Sequence, residues 1–115
     1  MKVLHVLAQL PVKTGSGVYF TNVIDGLKNY EVEQAAIYGT TPEYEFNILD
    51  TVYEVEFEGK DIEFPIVGMS DVMPYNNTLY KNMSENMMTT WQNAFREKLL
   101  KAKDEFKPDV VITHH

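Results

Sequence analysis

The chain has 115 residues, 44% of them hydrophobic, with ten basic against seventeen acidic side chains and a net charge of −7. That length fits a single domain, 1–115, with a modest core. The apolar content is that of a folded interior rather than a disordered chain, and the acidity argues against a nucleic-acid backbone or an anionic membrane as partner. Cysteine is absent, so no disulfide forms. The first apolar run is too short for a secretory signal or a membrane span, and the chain reads as cytoplasmic.

In chain order, Val3 to Ala8 is a near-continuous apolar run, the mark of a strand covered on both faces of a parallel sheet. A glycine turn, Thr14-Gly15-Ser16-Gly17, leads into a helical pattern in which Phe20, Val23, Ile24 and Leu27 form one buried stripe. Val32 to Tyr38 reads as a second strand, closed by Gly39 and Thr40-Thr41-Pro42. Strand, helix and strand in that order give a right-handed crossover.

From Val52 the period changes. Tyr53, Val55 and Phe57 alternate with Glu54, Glu56 and Glu58, and after Gly59-Lys60 the residues Ile62, Phe64 and Ile66 alternate in turn. This pattern predicts a β-hairpin with a Gly-first turn, inserted into the parallel sheet. Val67 to Asn77 is irregular, and a long helix follows, with Ser84 or Thr78 as its N-cap. Met83, Met87, Trp91, Phe95 and Leu99 are spaced four apart, continued by Ala102 and Phe106, and this face is expected to cover the sheet. Lys98, Lys101, Lys103 and Lys107 crowd the helix C-terminus, which favours cations, and Pro108 ends it. Asp109 to Thr113 forms a further strand. The expected fold is therefore α/β: a Rossmann-like, doubly wound, mostly parallel sheet with a hairpin insertion.

Two places carry candidate chemistry. Gly15, Ser16 and Gly17 stand where a strand turns into a helix, so that backbone N–H groups can approach an anion. As a dinucleotide fingerprint the segment fails, because Phe20 replaces the third glycine and Tyr38-Gly39 replaces the acidic end of strand two; there is no GxxxxGK[ST] motif either. His114 and His115 close the last strand at its C-terminal edge, the edge where ligands bind in open α/β sheets. Adjacent strand residues point to opposite faces, so both are not expected to act on one atom. His5, inside an apolar strand, reads as a hydrogen-bonded core histidine. Glu54, Glu56 and Glu58 read as a solvated face, and neither an acid–base pair nor a metal cluster is visible. No cofactor and no metal are expected.

Three stretches together resemble the N-terminal domain of family 4 glycosyltransferases of the two-domain GT-B type. Met1-Lys2-Val3-Leu4-His5-Val6 with Thr14-Gly15-Ser16-Gly17 is similar to the family's first strand and glycine loop. Phe64-Pro65-Ile66-Val67-Gly68-Met69-Ser70-Asp71-Val72-Met73-Pro74-Tyr75 resembles a segment of one bacterial branch, and Pro108 to His115 looks like the strand presenting the N-domain histidine. The resemblance implies retaining transfer of a sugar from a nucleotide-diphosphate sugar to a sugar or lipid-linked acceptor, in a cleft between two Rossmann-like domains. It places Gly15, Ser16 and Gly17 near the donor diphosphate, and His114, with His115 as alternative, on the donor sugar. Ser70, Asp71 and Tyr75 fall on an acceptor-side loop. The nucleotide-sugar domain has no counterpart in 1–115, so this stretch is expected to be inactive alone.

Two readings of other classes compete. A flavodoxin-like electron carrier is also small, acidic and doubly wound, with a Thr-Gly-Ser loop after its first strand. A non-catalytic binding module would use the hairpin and the Met73-Pro74-Tyr75 loop as a partner surface. A truncated sheet also leaves its last strand's outer edge as a template for self-association.

Overall fold

Strand β1 (Lys2–Leu7) is flanked on one side by β2 (Glu33–Thr40) and on the other by β6 (Val110–His114), and β3 (Val52–Glu56) pairs with the far side of β2. This computed structural model describes residues 1–68, 70 and 72–114. All three pairings are parallel, giving the order β3-β2-β1-β6. Helix α1 (Gly15–Leu27) packs on one face of the sheet, where Phe20 and Ile24 meet Leu7, Ala36 and Tyr38. Helix α2 (Glu85–Glu105) covers the other, where Ala102 meets Leu4, Ala35, Ile37 and Tyr53. The fold is thus α/β with a mostly parallel sheet covered on both faces. Strand order reverses between β1 and β6, the switch point at which ligands bind in such sheets. A flavodoxin-like order would seat β1 between β2 and the following strand; here β2 lies between β1 and β3.

The predicted hairpin does not form. Val52–Glu56 is a parallel edge strand on β2, and the return segment forms no strand: it makes an isolated parallel bridge from Phe57 to Ile62 and turn hydrogen bonds such as Ile62 N–H to the Glu56 carbonyl at 3.0 Å. The alternation of Tyr53, Val55 and Phe57 is real, since all three are buried, but an edge strand with one packed face produces the same alternation. The reversal is a local turn instead. Glu58 takes the left-handed conformation (φ 54), and the Asp61 carboxylate accepts from the Glu56 N–H at 2.8 Å, a donor that a hairpin ladder would have used. Ile62 and Ile66 then turn inward to join Val55, Phe57 and Val67 in one cluster. Val67–Gly68 (β4) and Thr78–Leu79 (β5) make a separate short parallel pair around the loop between them.

Each helix start is fixed by a hydroxyl. Thr14 caps α1 by accepting from the Gly17 N–H at 3.0 Å, and Ser84 caps α2 by accepting from Met87 at 3.1 Å. At the other end of α2, Lys107 adopts the left-handed conformation (φ 55) just before Pro108, which stops the helix. The expected stripe on α2 is buried only in part. Met83, Trp91 and Phe95 are half-buried against the Val55–Phe57 cluster, whereas Leu99 is 38% and Leu100 50% exposed. The reason is placement: α2 packs over β2 and β3, and its side toward β6 has nothing above it among the described residues. There Leu99 and Leu100 line an open apolar trough with Val111 and Leu4. Among the described residues, strand β6 pairs with β1 alone, which leaves its outer edge unpaired there, and Val110 and Val111 are exposed. No helix of the described residues is long and apolar enough to cross a membrane.

Candidate functional site

The C-terminal ends of β1 and β6 and the N-terminus of α1 meet at the switch point. In the parallel register Leu7 pairs with His114, and both face α1. His114 is 9% exposed, with the Phe20 ring edge-on at 5.0 Å and the Tyr19 ring at 6.2 Å between centroids. His5, one pleat back on β1, is fully buried beneath it. The two imidazoles are joined by a 3.1 Å contact between His5 Nδ1 and His114 Nε2, and His5 Nε2 lies 2.8 Å from Gln34 Oε1 on β2. Burial pulls His5 below its ordinary value of 6.5, against the opposing effect of the Gln34 hydrogen bond. His5 is therefore the hydrogen-bonded core histidine expected of it. His115, next to His114 in the chain, lies outside the described residues.

The glycine segment is not a turn but the first turn of the helix itself. The chain reverses earlier, through Lys13 in the left-handed region (φ 67). The four N–H groups at a helix start have no partner within the helix, and here two are already taken: Thr14 N–H by the Val12 carbonyl at 2.9 Å and Gly17 N–H by the Thr14 hydroxyl at 3.0 Å. Among the described residues, those of Gly15 and Ser16 remain for an anion, at the positive end of the helix dipole. The two glycines also differ sterically. A Cβ on Gly15 would meet nothing within 4 Å, whereas one on Gly17 would lie 2.8 Å from Val12 N and 2.9 Å from Leu10 O. Gly17 is where the β1–α1 loop crosses α1; Gly15 is the exposed position.

Of the acceptor-side residues, Tyr75 packs in the cluster that contains Leu10, so its loop leans on the β1–α1 loop. Burial pushes the Tyr75 phenol above its ordinary 10.0. Ser70 is exposed and donates to the Val72 carbonyl at 2.7 Å. Asp71 lies outside the described residues. The arrangement thus brings together His114 and the α1 N-terminus, with Tyr75 behind the same loop, while the contacts of Ser70 stay within its own loop, on Val72 and Met73.

Sequence reasoning passed over Gln34. Its signal was present, as a polar residue one step inside an apolar strand on the same parity as Ala36 and Tyr38, just as His5 interrupts β1. A hydrogen-bond donor facing a developing negative charge and an imidazole beside it are suited to holding a polar, anionic ligand in place. Compared with protein families, with curated proteins and with solved structures, the chain matches none.

Proposed function

We propose that this chain is the acceptor-side, N-terminal domain of a two-domain retaining glycosyltransferase working in the cytoplasm. It moves a sugar from a nucleotide-diphosphate sugar to a sugar or lipid-linked acceptor. The reading is carried by one observation: His114 stands at the switch point, beside the helix whose Gly15 and Ser16 N–H groups are uncommitted. As the glycosidic bond breaks, the leaving diphosphate gains negative charge, and N–H donors aimed at it stabilise the transition state more than the ground state. The imidazole of His114 holds a hydroxyl of the donor sugar and orients the ring. Recognition of the nucleotide base belongs to the second domain, so 1–115 alone binds weakly and does not turn over.

The test is a titration of the ¹⁵N-labelled chain with inorganic pyrophosphate, UDP-glucose and GDP-mannose, read by amide and imidazole resonances. Pyrophosphate is expected to move the Gly15 and Ser16 amides. At least one sugar nucleotide is expected to move His114 as well, and His114→Ala to remove that second response while leaving the pyrophosphate response intact. Shifts confined to other parts of the chain, or robust sugar transfer by 1–115 alone, would overturn the reading.

A further inference from the structure

The side of α2 that overhangs β6 borders a groove on the sheet face opposite α1. One part of it, about 560 Å³, lies between Leu4, Leu99, Leu100 and Val111, and the other, about 290 Å³, lies between Val6, Phe95 and Leu99 again, so the two are continuous. Strands β1 and β6 make the floor: Val111 pairs with Leu4 and Thr113 with Val6, so both turn to the α2 face, and both are exposed. Helix α2 makes one wall, and among the described residues the opposite side is open. A contiguous apolar surface rimmed by charge marks a docking site rather than ordinary exposure. The rim has one sign. In a chain of net charge −7, Arg96, Lys103 and Lys107 line the groove with no carboxylate among the lining residues. None of the three is in an ion pair among the described residues, unlike Lys2, Lys28 and Lys98.

We propose that this groove docks an amphipathic α-helix of a partner protein, one whose apolar stripe is flanked by acidic side chains. Lining chemistry and charge select that occupant. The floor and wall are apolar side chains almost throughout, so an extended segment laid there would bury backbone N–H and C=O groups without partners, whereas a helix has paired its own. A helix lying beside α2 sets its apolar stripe, repeating at three and four residues, onto Leu4, Val6, Leu99 and Val111. Arg96 and Lys103 stand seven residues apart on α2, roughly 10 Å along its axis, so carboxylates two turns apart on one edge of the incoming helix meet both. A second copy of this chain does not fit. Groove against groove sets Arg96, Lys103 and Lys107 against their own like charges, and the apolar stripe of α1 is already buried on the sheet. Docking here is independent of sugar transfer, since the groove lies on the face away from His114.

The test uses two helix-stabilised peptides of about 18 residues, roughly 27 Å long, that share one leucine stripe and carry either glutamates or lysines along its flanks. Each is titrated into the ¹³C-methyl-labelled chain. The glutamate peptide is expected to shift the methyls of Leu99, Leu100 and Val111 and to bind at least tenfold more tightly than the lysine peptide, the reverse of what the chain's net charge alone favours. Replacing the three exposed cations together, Arg96→Glu, Lys103→Glu and Lys107→Glu, is expected to invert that preference. The comparison on the unaltered chain stands whether or not this variant folds. Methyls that ignore both peptides, or a lysine peptide that binds as well as the glutamate one, overturn the proposal. So do the same methyls shifting with the chain's own concentration, which gives the groove to a second copy, or shifting with phosphatidylglycerol vesicles and not with peptide, which gives it to a lipid surface.

Discussion

The two helices cover the same sheet on opposite faces, and they do so very differently. The 13-residue α1 drives Phe20 and Ile24 to complete burial against Leu7, Ala36 and Tyr38. The 21-residue α2 buries only Ala94 and Ala102 fully, holds Trp91 and Phe95 half out, and leaves Leu99 and Leu100 exposed. Length does not decide how much a helix holds together. What decides it is whether strands lie beneath the whole apolar face: α1 sits over the middle of the sheet, whereas α2 overhangs the side where β6 is the last strand. The candidate site has its histidines on the well-covered face, which is where a fixed geometry can be maintained.

The sharpest way to break this contrast is to truncate one residue on each face. Phe20→Ala removes a fully buried ring that touches His5, Tyr38 and His114, and is expected to cost about 3–5 kcal/mol of unfolding free energy. Leu99→Ala is expected to change it by less than ~1 kcal/mol, because much of that side chain is already in water. Chemical denaturation of both variants measures the difference, and near-equal losses would mean that the α2 face is covered in solution. Next in size is the pair of glycines at the start of α1. Gly17→Ala places a methyl against the backbone of Leu10 and Val12, which is not free to retreat, and is expected to cost roughly 1–3 kcal/mol. Gly15→Ala meets open space and should leave stability unchanged or raise it by up to about 1 kcal/mol. A thermal melt in which both glycines behave alike would mean that the loop does not cross α1 as described.

The smallest effect is on pH dependence. His5 is held neutral by burial, with its folded pKa below the ordinary 6.5, so the unfolded chain binds more protons than the folded one in the window just beneath 6.5. Stability from this group is fully present above that pH and is lost as pH falls toward the folded value. His5→Phe, which has no proton to gain, should flatten the stability-versus-pH curve over that window. A slope unchanged by the substitution would show that His5 is not the titrating group.

Much of this architecture is legible from residue order alone. The near-continuous apolar run of Val3–Ala8 marks a parallel strand covered on both faces, Val32–Tyr38 reads as a second strand beside it, and the spacing of Phe20, Ile24 and Leu27 marks a helix lying on them. The segment from Val52 to Ile66 was misread because period-two alternation records one packed face and says nothing of the partner strand's direction. The stripe on α2 was over-read for a related reason: periodicity shows which side of a helix is apolar and not how much sheet lies under it. At the site, the placing of His114 at the sheet edge followed from the strand ending there. The roles of Gln34 and Gly17 did not, since one depends on contacts 29 residues apart and the other on a loop folding back over its own helix.

Strand β6 closes the sheet by pairing with β1 across almost the whole chain. The Asp109 side chain accepts from the Lys2 N–H at a separation of 107 positions, and the Lys2 ammonium donates to the Phe106 carbonyl. The pairing of β1 with β2 joins residues only about thirty positions apart. Each doubling of a loop adds about 0.6 kcal/mol to its closure, so the β1–β6 seam is roughly 1 kcal/mol harder to close on entropy alone. It also has the least burial to repay that cost. The core of β1, α1 and β2 can thus assemble before β6 arrives, and the β6 amides are expected to exchange with solvent sooner than those of β1, as hydrogen exchange would measure. Because His114 is carried on that strand, the imidazole pair is expected to form with the β1–β6 seam, after the β1–β2 pairing, and to be lost with it. The candidate site is thus tied to the one sheet pairing whose closure spans the longest stretch of sequence.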